Sequence, residues 1–119
     1  MNRIDKIKVG EIEIICIDYC NLTQDQMIAL ESEAAELIPT GNKAVYVVNR
    51  FNEKNYASPK VVRHFEHSVR KLDFLIKKMT FVGLSPNKKI ILKGFNLILN
   101  REFQAFDTQE EAIAYLLKD

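Results

Sequence analysis

The segment MTFVGLSPNKKIILKGFNLILN, residues 79–100, decides the fold, because its second half is rich enough in isoleucine to be taken for a strand. Its first six residues are a short apolar run, which is typical of a buried strand. The serine and proline at positions 85–86 then form a helix entry, with a hydroxyl at the cap and a proline in the first turn, where no amide hydrogen is needed. The spacing of Ile91, Phe95 and Ile98 predicts that a helix follows this entry.

The same entry occurs upstream in RFNEKNYASPKVVRHFEH, residues 50–67. Ser58 and Pro59 predict the start of a second helix. Its apolar stripe is predicted to comprise Val62, Phe65, Val69, Leu72 and Ile76. Two interpretations of Ser58 remain open: it is the cap that starts this helix, or it is a regulatory site.

Four further segments complete the predicted order of elements. RIDKIKV and EIEIICIDY flank Gly10 and predict a β-hairpin, whose second arm is apolar on both faces and so is covered on both sides. KAVYVVNRF, residues 43–51, and EFQAF, residues 102–106, predict two more strands. Capping-box patterns open two more helices, at Thr23 with Gln26 and at Thr108 with Glu111, and the first of these helices is predicted to end at Pro39-Thr40-Gly41.

This order predicts an α/β fold: an N-terminal hairpin, a mixed, mostly parallel sheet of four to five strands, and four helices. The length of 119 residues predicts a single domain, 1–119. No apolar run approaches the ~20 residues that cross a bilayer, and no signal-peptide hydrophobic region follows Met1. We therefore expect a cytoplasmic protein without membrane insertion.

The charge is unevenly distributed along the chain. Between Lys60 and Arg101 ten basic residues face two acidic ones, a local charge of +8, whereas the remainder carries −7. Two interpretations are open: complementary solvated faces of one fold, or a basic surface for an acidic protein, an anionic lipid or a nucleic acid. No motif of a known nucleic-acid-binding module is present, so no nucleic acid is expected as a partner.

Residues that could support catalysis or metal binding are few. Cys16 and Cys20, the two cysteines, are predicted to be reduced, with Cys16 in the core. His64 and His67 could lie on one side of a helix, but cationic residues surround them, and no metal is predicted. The sequence contains neither a glycine-rich phosphate loop nor a Gly-x-Ser-x-Gly elbow, so neither a cofactor nor an enzymatic activity is expected.

The C-terminal segment EFQAFDTQEEAIAYLL, residues 102–117, resembles the last strand and helix of bacterial SpoIIAA-like domains of the STAS/SEC14 type. GEIEIICIDYCNLT, KAVYVVNRF and FVGLSPNKKIILKGFNLIL resemble earlier parts of these domains in the same order, so that the resemblance covers essentially the whole chain. The resemblance implies a non-enzymatic regulatory or binding domain. In the antagonist group it implies a partner kinase and a phosphorylated hydroxyl residue, and Ser58 lies at the comparable place. There the family's motif has an aspartate, hydroxyl residues and a glycine, whereas this chain has Asn55-Tyr56-Ala57-Ser58-Pro59.

The carboxyl ends of parallel strands meet at one edge of a sheet, which is where ligands usually bind in open α/β folds. At this edge we expect contacts with an unknown protein partner or a ligand through Phe51, Tyr56, Ser58, Ser85 and Asn21. Whether the chain is a monomer or a homodimer is left open. The alternative is a small anionic or amphipathic ligand held by the amino ends of the helices.

Overall fold

The computed structural model describes residues 3–38 and 44–118, and the predicted end of the first helix at Pro39–Gly41 lies outside them. The elements follow the predicted order: β1 (Ile4–Val9), β2 (Ile12–Asp18), α1 (Gln24–Leu37), β3 (Val45–Arg50), α2 (Pro59–Leu72), β4 (Ile76–Val82), α3 (Pro86–Leu99), β5 (Gln104–Phe106) and α4 (Gln109–Leu116).

The five strands form one sheet in the order β1-β2-β3-β4-β5. β1 and β2 are antiparallel, as expected for a hairpin, and the other neighbours are parallel. The predicted α/β class with a mostly parallel sheet is therefore confirmed. Because β2, β3, β4 and β5 run in the same direction, their carboxyl ends lie along one edge of the sheet, here called the strand-end rim.

The sheet is covered on both faces. Side chains of α1, α2 and α3 pack on one face, and Ala112 and Leu116 of α4 pack on the other. The centre of β2 is buried on both sides, with Ile14 and Ile15 fully inaccessible. Cys16, also buried and without a disulfide partner, packs on the α4 side as a small apolar residue.

Each helix begins at the predicted hydroxyl residue. The side chains of Thr23, Ser58, Ser85 and Thr108 each accept a hydrogen bond from a main-chain amide in the first turn. Thr23 and Gln26 form the full reciprocal capping box. At α4 the Thr108 hydroxyl instead donates to the Glu111 carboxylate, at 3.0 Å, while it accepts from the Glu111 amide.

The predicted boundary between α2 and β4 is wrong. Ile76 was assigned to the apolar stripe of α2, but the helix ends at Leu72 and Ile76 begins β4. The amides of Leu75 and Ile76 bond to the carbonyls of Leu72 and Asp73, which closes a tight turn. The Leu75 carbonyl then accepts from Val45 in β3, and this pairing draws the chain into the sheet three residues earlier than predicted.

The predicted helix is confirmed as α3, although the three residues whose spacing predicted it do not all face the core. Leu92 and Phe95 are the buried residues, whereas Ile91 is 37% exposed and Ile98 is 54% exposed. The helix carries apolar residues on opposite sides, so spacing alone did not identify the side that faces the sheet.

Candidate functional site

Asparagine side chains tie together two loops of the strand-end rim. Asn21 has a positive φ of 67°. Its main-chain N–H donates to the side-chain oxygen of Asn52 at 3.1 Å, and the side-chain nitrogen of Asn52 donates to the side-chain oxygen of Asn21 at 2.9 Å. The buried Asn55 side chain donates to the main-chain carbonyls of Tyr19 and Leu22, and it accepts from the main-chain N–H of Asn52. These hydrogen bonds hold the loops after β2 and β3 together, so the two loops form one continuous surface.

Phe51 is half-buried within this surface, not free on it. Its ring stacks on Tyr19 with centroids 4.9 Å apart and faces Phe81 at 6.2 Å. Beneath it, Gly83 has a φ of +82°, and a Cβ at Gly83 would overlap the Phe51 carbonyl oxygen. The role of Phe51 as a contact residue stays a prediction: stacking holds the ring, and only part of it faces solvent.

The other predicted contact residues differ in exposure. Tyr56 is 72% exposed, whereas Ser58 is only 5% exposed. The Ser58 hydroxyl contacts the Gln24 side-chain oxygen and accepts from the Val61 amide. Ser85 is half-buried and caps α3 through the Lys88 amide. All of these residues lie on the rim, but the hydroxyl of Ser58 is occupied as a cap.

A cleft opens at the rim between the first turns of α2 and α3. Apolar side chains line it, among them Phe51, Val62, Leu84 and Ile91. Its volume is about 70 Å³, which is well below the ~300 Å³ of the smallest typical small-molecule sites. This space, called the rim cleft below, matches a single apolar side chain better than a whole ligand.

Lys88 borders the rim cleft and anchors the loop beside it. Its ammonium group donates to the Asn52 carbonyl at 2.9 Å. Partial burial lowers the pKa of Lys88, and the nearby Glu53 carboxylate opposes this effect. The Lys88 ammonium already donates to a main-chain carbonyl. An anion that binds there would therefore have to displace this carbonyl or share the ammonium with it.

A polar cluster lies between α1 and α2. Glu31 accepts from the Ser68 hydroxyl at 2.5 Å and approaches His64 Nε2 at 2.7 Å, without the alignment of a hydrogen bond. Ser32 lies 3.2 Å from that same nitrogen, so serine and carboxylate do not occupy opposite sides of the imidazole as a catalytic triad requires. The Tyr19 hydroxyl is buried without a hydrogen-bond partner among the described residues, and burial raises the pKa of Tyr19.

The environment of β2 and the residues after it holds two thiols in the protonated form and one carboxyl in the ionised form. Burial raises the pKa of the Cys16 thiol to about 11, and burial with a hydrogen bond to Asp18 raises that of Cys20. For Asp18, burial opposes ionisation, but hydrogen bonds from Cys20 and the charges of Arg50 and Arg3 outweigh it, so its pKa is lowered. Both thiols are protonated at neutral pH and are weak nucleophiles.

His64 is half-buried beside Glu31, whereas His67 is exposed on α2. No cluster of three histidine, cysteine or acidic side chains with metal-binding geometry occurs within residues 3–38 and 44–118.

The sequence placed Asn52 and Leu84 in the strand-to-helix junctions of this edge but gave them no role, and it did not identify Lys88. The run of asparagines between residues 49 and 55 was an available signal, since asparagine side chains often bond to the main chain in turns. Lys88 and Leu84 carry no such signal, because their roles depend on how α3 packs against the β3–α2 loop.

Comparison with known proteins identifies the fold. No family model matches the sequence, and no curated protein matches it. The chain is similar to the crystal structure of an uncharacterised protein of the DUF3478 family from Shewanella loihica PV-4, described as having a SpoIIAA-like fold. The TM-score is 0.65 at 14% identity, over 95% of this chain and 91% of that one. The SpoIIAA-like fold expected from the sequence is therefore confirmed.

Within the described part of the chain, no helix has both the length and the apolar character needed to span a bilayer.

Proposed function

We propose that this SpoIIAA-like chain is a non-enzymatic regulatory domain that binds a protein partner at the strand-end rim. The observation that carries the proposal is the rim cleft: an apolar depression of about 70 Å³ whose lining includes Asn55 and Ala57, the two chain neighbours of the exposed Tyr56. A partner inserts one apolar side chain into the cleft and packs against Tyr56. Anchors of this kind, buried in a preformed pocket, contribute a large share of the binding energy in protein interfaces.

The rigidity of the rim supports this function. The hydrogen bond between Asn52 and Asn21, the bond from Asn55 to the Tyr19 carbonyl and the stacking of Phe51 on Tyr19 fix the loops before a partner arrives, so little conformational entropy is lost on binding. An enzyme would need a nucleophile, a base and an oxyanion site in one place. The protonated thiols and the shared nitrogen of His64 do not provide this arrangement.

Regulation through Ser58 would require the β3–α2 loop to open. A kinase needs access to a hydroxyl that is now 5% exposed and engaged with Gln24 and Val61. Ser58 therefore serves as a cap in this conformation, and phosphorylation would act by breaking its contact with Gln24. Mass spectrometry of protein isolated from its native cells tests whether the modified form exists.

A photo-crosslinking residue at position 56 tests the proposed rim contact. The matched control is position 8, since Lys8 is exposed near the hairpin turn, on the opposite edge of the sheet. We expect a discrete protein adduct at position 56 and none at position 8, in lysate from the native cells. Equal labelling at both positions, or none at position 56, would contradict the proposal.

A filled-cleft variant tests whether the depression itself is used. Val62→Phe places extra volume in the rim cleft, and the neighbouring Arg63→Gln changes an exposed residue of the same helix. The adduct at position 56 should fall at least tenfold in Val62→Phe and persist in Arg63→Gln. Persistence in both variants would sink the cleft as the contact.

The second candidate is a small amphipathic ligand, favoured by the apolar lining with the Lys88 ammonium at its border. Native mass spectrometry after gentle purification separates the two candidates. A persistent extra mass that is lost in Val62→Phe would support the ligand. Clean protein with no thermal shift across a metabolite panel would remove it.

A further inference from the structure

The outer face of α3 carries large aliphatic side chains that the fold does not bury. Ile90 is 66% exposed, Leu97 is 84% exposed and Ile98 is 54% exposed. These residues and Gly94 recur at helical spacing, so they lie on one side of the helix, here called the α3 outer stripe. Leu92 and Phe95 occupy the opposite side, which faces the sheet.

Gly94 leaves a notch at the middle of this stripe. Apart from the adjacent residues and the main chain of α3 itself, no atom lies within 4 Å of the position that a Cβ would take there, and the glycine does not have a positive φ. Glycine within a helix is less stable than alanine, and nothing in the described structure requires it at this position. A notch between aliphatic ridges is the shape that accepts the side-chain ridge of another helix at close approach.

The surroundings of the stripe are positively charged. α3 contains no acidic residue, and Lys89 and Lys93 are exposed along it. The lining of the broad groove between α3 and β4 adds Lys77, Lys78 and Arg101 against one carboxylate, Glu102. Arg101 pairs with Asp73 and Lys89 with Asp107, so the excess of positive charge comes from the remaining lysines. Lys77 and Lys93 have no ion-pair partner among residues 3–38 and 44–118. The stripe therefore favours a partner surface that carries carboxylates beside its apolar residues.

We infer that the α3 outer stripe is a docking surface for an amphipathic helix of a partner protein, with aspartate or glutamate flanking the helix's apolar ridge. A second copy of this chain fits less well, because a symmetric pairing of α3 with α3 brings like charges together without any acid on either helix. A bilayer fits less well too, since a membrane-inserting face projects apolar side chains, whereas this face is notched at its centre. The surface is separate from the rim: Ile90, Gly94, Leu97 and Ile98 do not line the rim cleft.

A display library of helical peptides tests this inference. Every peptide keeps a leucine and isoleucine ridge, while the flanking positions vary among Glu, Lys and Gln. Selection against the full chain should enrich glutamate at the flanks, and the affinity of the selected peptide should fall as salt rises. Enrichment of Lys or Gln at the flanks would overturn the inference.

Three variants assign the binding to the stripe. Leu97→Gln should weaken the selected peptide at least tenfold, and so should Gly94→Leu, which fills the notch while keeping it apolar. Arg70→Gln on the outer face of α2 is the matched control and should bind as the unmodified chain does. Circular dichroism and thermal midpoints show that each variant is folded, and a folded Leu97→Gln with unchanged affinity would overturn the inference.

Two further measurements test the other occupants. Sedimentation equilibrium should show a monomer, or a dimer that Leu97→Gln leaves intact; a dimer that Leu97→Gln dissociates would assign the stripe to a second copy. Vesicles of phosphatidylglycerol should not retain the chain through this face. If the chain binds vesicles, Leu97→Gln abolishes this binding and the display selection yields no acidic peptide, the stripe would be assigned to a membrane.

Discussion

α2 and α3 begin in the same way and differ in what they show to solvent. Both are 14-residue helices with a serine cap followed by proline, and both pack on the same face of the sheet. Counted from the cap, the fifth, ninth, twelfth and thirteenth residues form the outer face of each helix. In α2 they are Arg63, His67, Arg70 and Lys71, and in α3 they are Ile90, Gly94, Leu97 and Ile98.

This difference shows which outer-face residues are explained by folding alone and which are not. Charged residues on the outside of α2 are the ordinary solution for a helix at a surface. Aliphatic residues at the equivalent positions of α3 contribute little to burial, because they remain more than half exposed. We therefore attribute them to binding, and the following predictions compare matched positions in the two helices.

The largest change in the free energy of unfolding should come from substitutions on the helix faces that pack on the sheet. Phe95→Ala in α3 and Phe65→Ala in α2 each remove a ring that is at least nine-tenths buried, and each should lower the free energy of unfolding by about 3–5 kcal/mol. Urea unfolding followed by circular dichroism measures both. A loss below about 1 kcal/mol in Phe95→Ala would mean that α3 does not pack by this face.

Substitutions of the helix caps should give the next largest loss of stability. Ser58→Ala should cost about 2 kcal/mol, because it removes the cap of α2 and also the partly buried contact with Gln24. Ser85→Ala removes the cap bond at a less buried position and should cost about 1 kcal/mol. The same unfolding measurement applies, and the reverse order would show that the Gln24 contact adds nothing to the stability of α2.

A smaller effect of opposite sign is expected at the notch. Gly94→Ala should raise the free energy of unfolding by about 0.5–1 kcal/mol, since the helix gains propensity and the new methyl group meets no side chain or other element. His67→Ala, the matched change in α2, should stay within about 0.5 kcal/mol of the unmodified chain. Destabilisation by Gly94→Ala would show that the fold itself requires the glycine.

The sequence predicted the order of elements because each helix entry is a local signal. The serine–proline pairs and the threonine caps act within one turn, and all four helices begin where these signals stand. The charge asymmetry was visible as well, although its link to α3 was not.

Long-range packing was not predictable to the same degree. The spacing of Ile91, Phe95 and Ile98 predicted a helix, but α3 is apolar on two sides, and periodicity cannot say which side meets the sheet. Phe51 lies in a loop by sequence, yet its ring stacks on Tyr19, which is more than thirty positions away along the chain. The rim cleft combines side chains from four elements and their connecting loops, so no local pattern could have revealed it.

The most direct test measures stability and binding on one pair of double variants. Leu97→Gln with Ile98→Gln in α3, and Arg70→Gln with Lys71→Gln in α2, should each change the free energy of unfolding by no more than about 0.5 kcal/mol. Affinity for the selected acidic helix should fall at least tenfold in the α3 variant and remain within a factor of about three in the α2 variant. Loss of stability in the α3 variant, or equal affinity in both, would contradict the assignment of the α3 outer stripe to a partner.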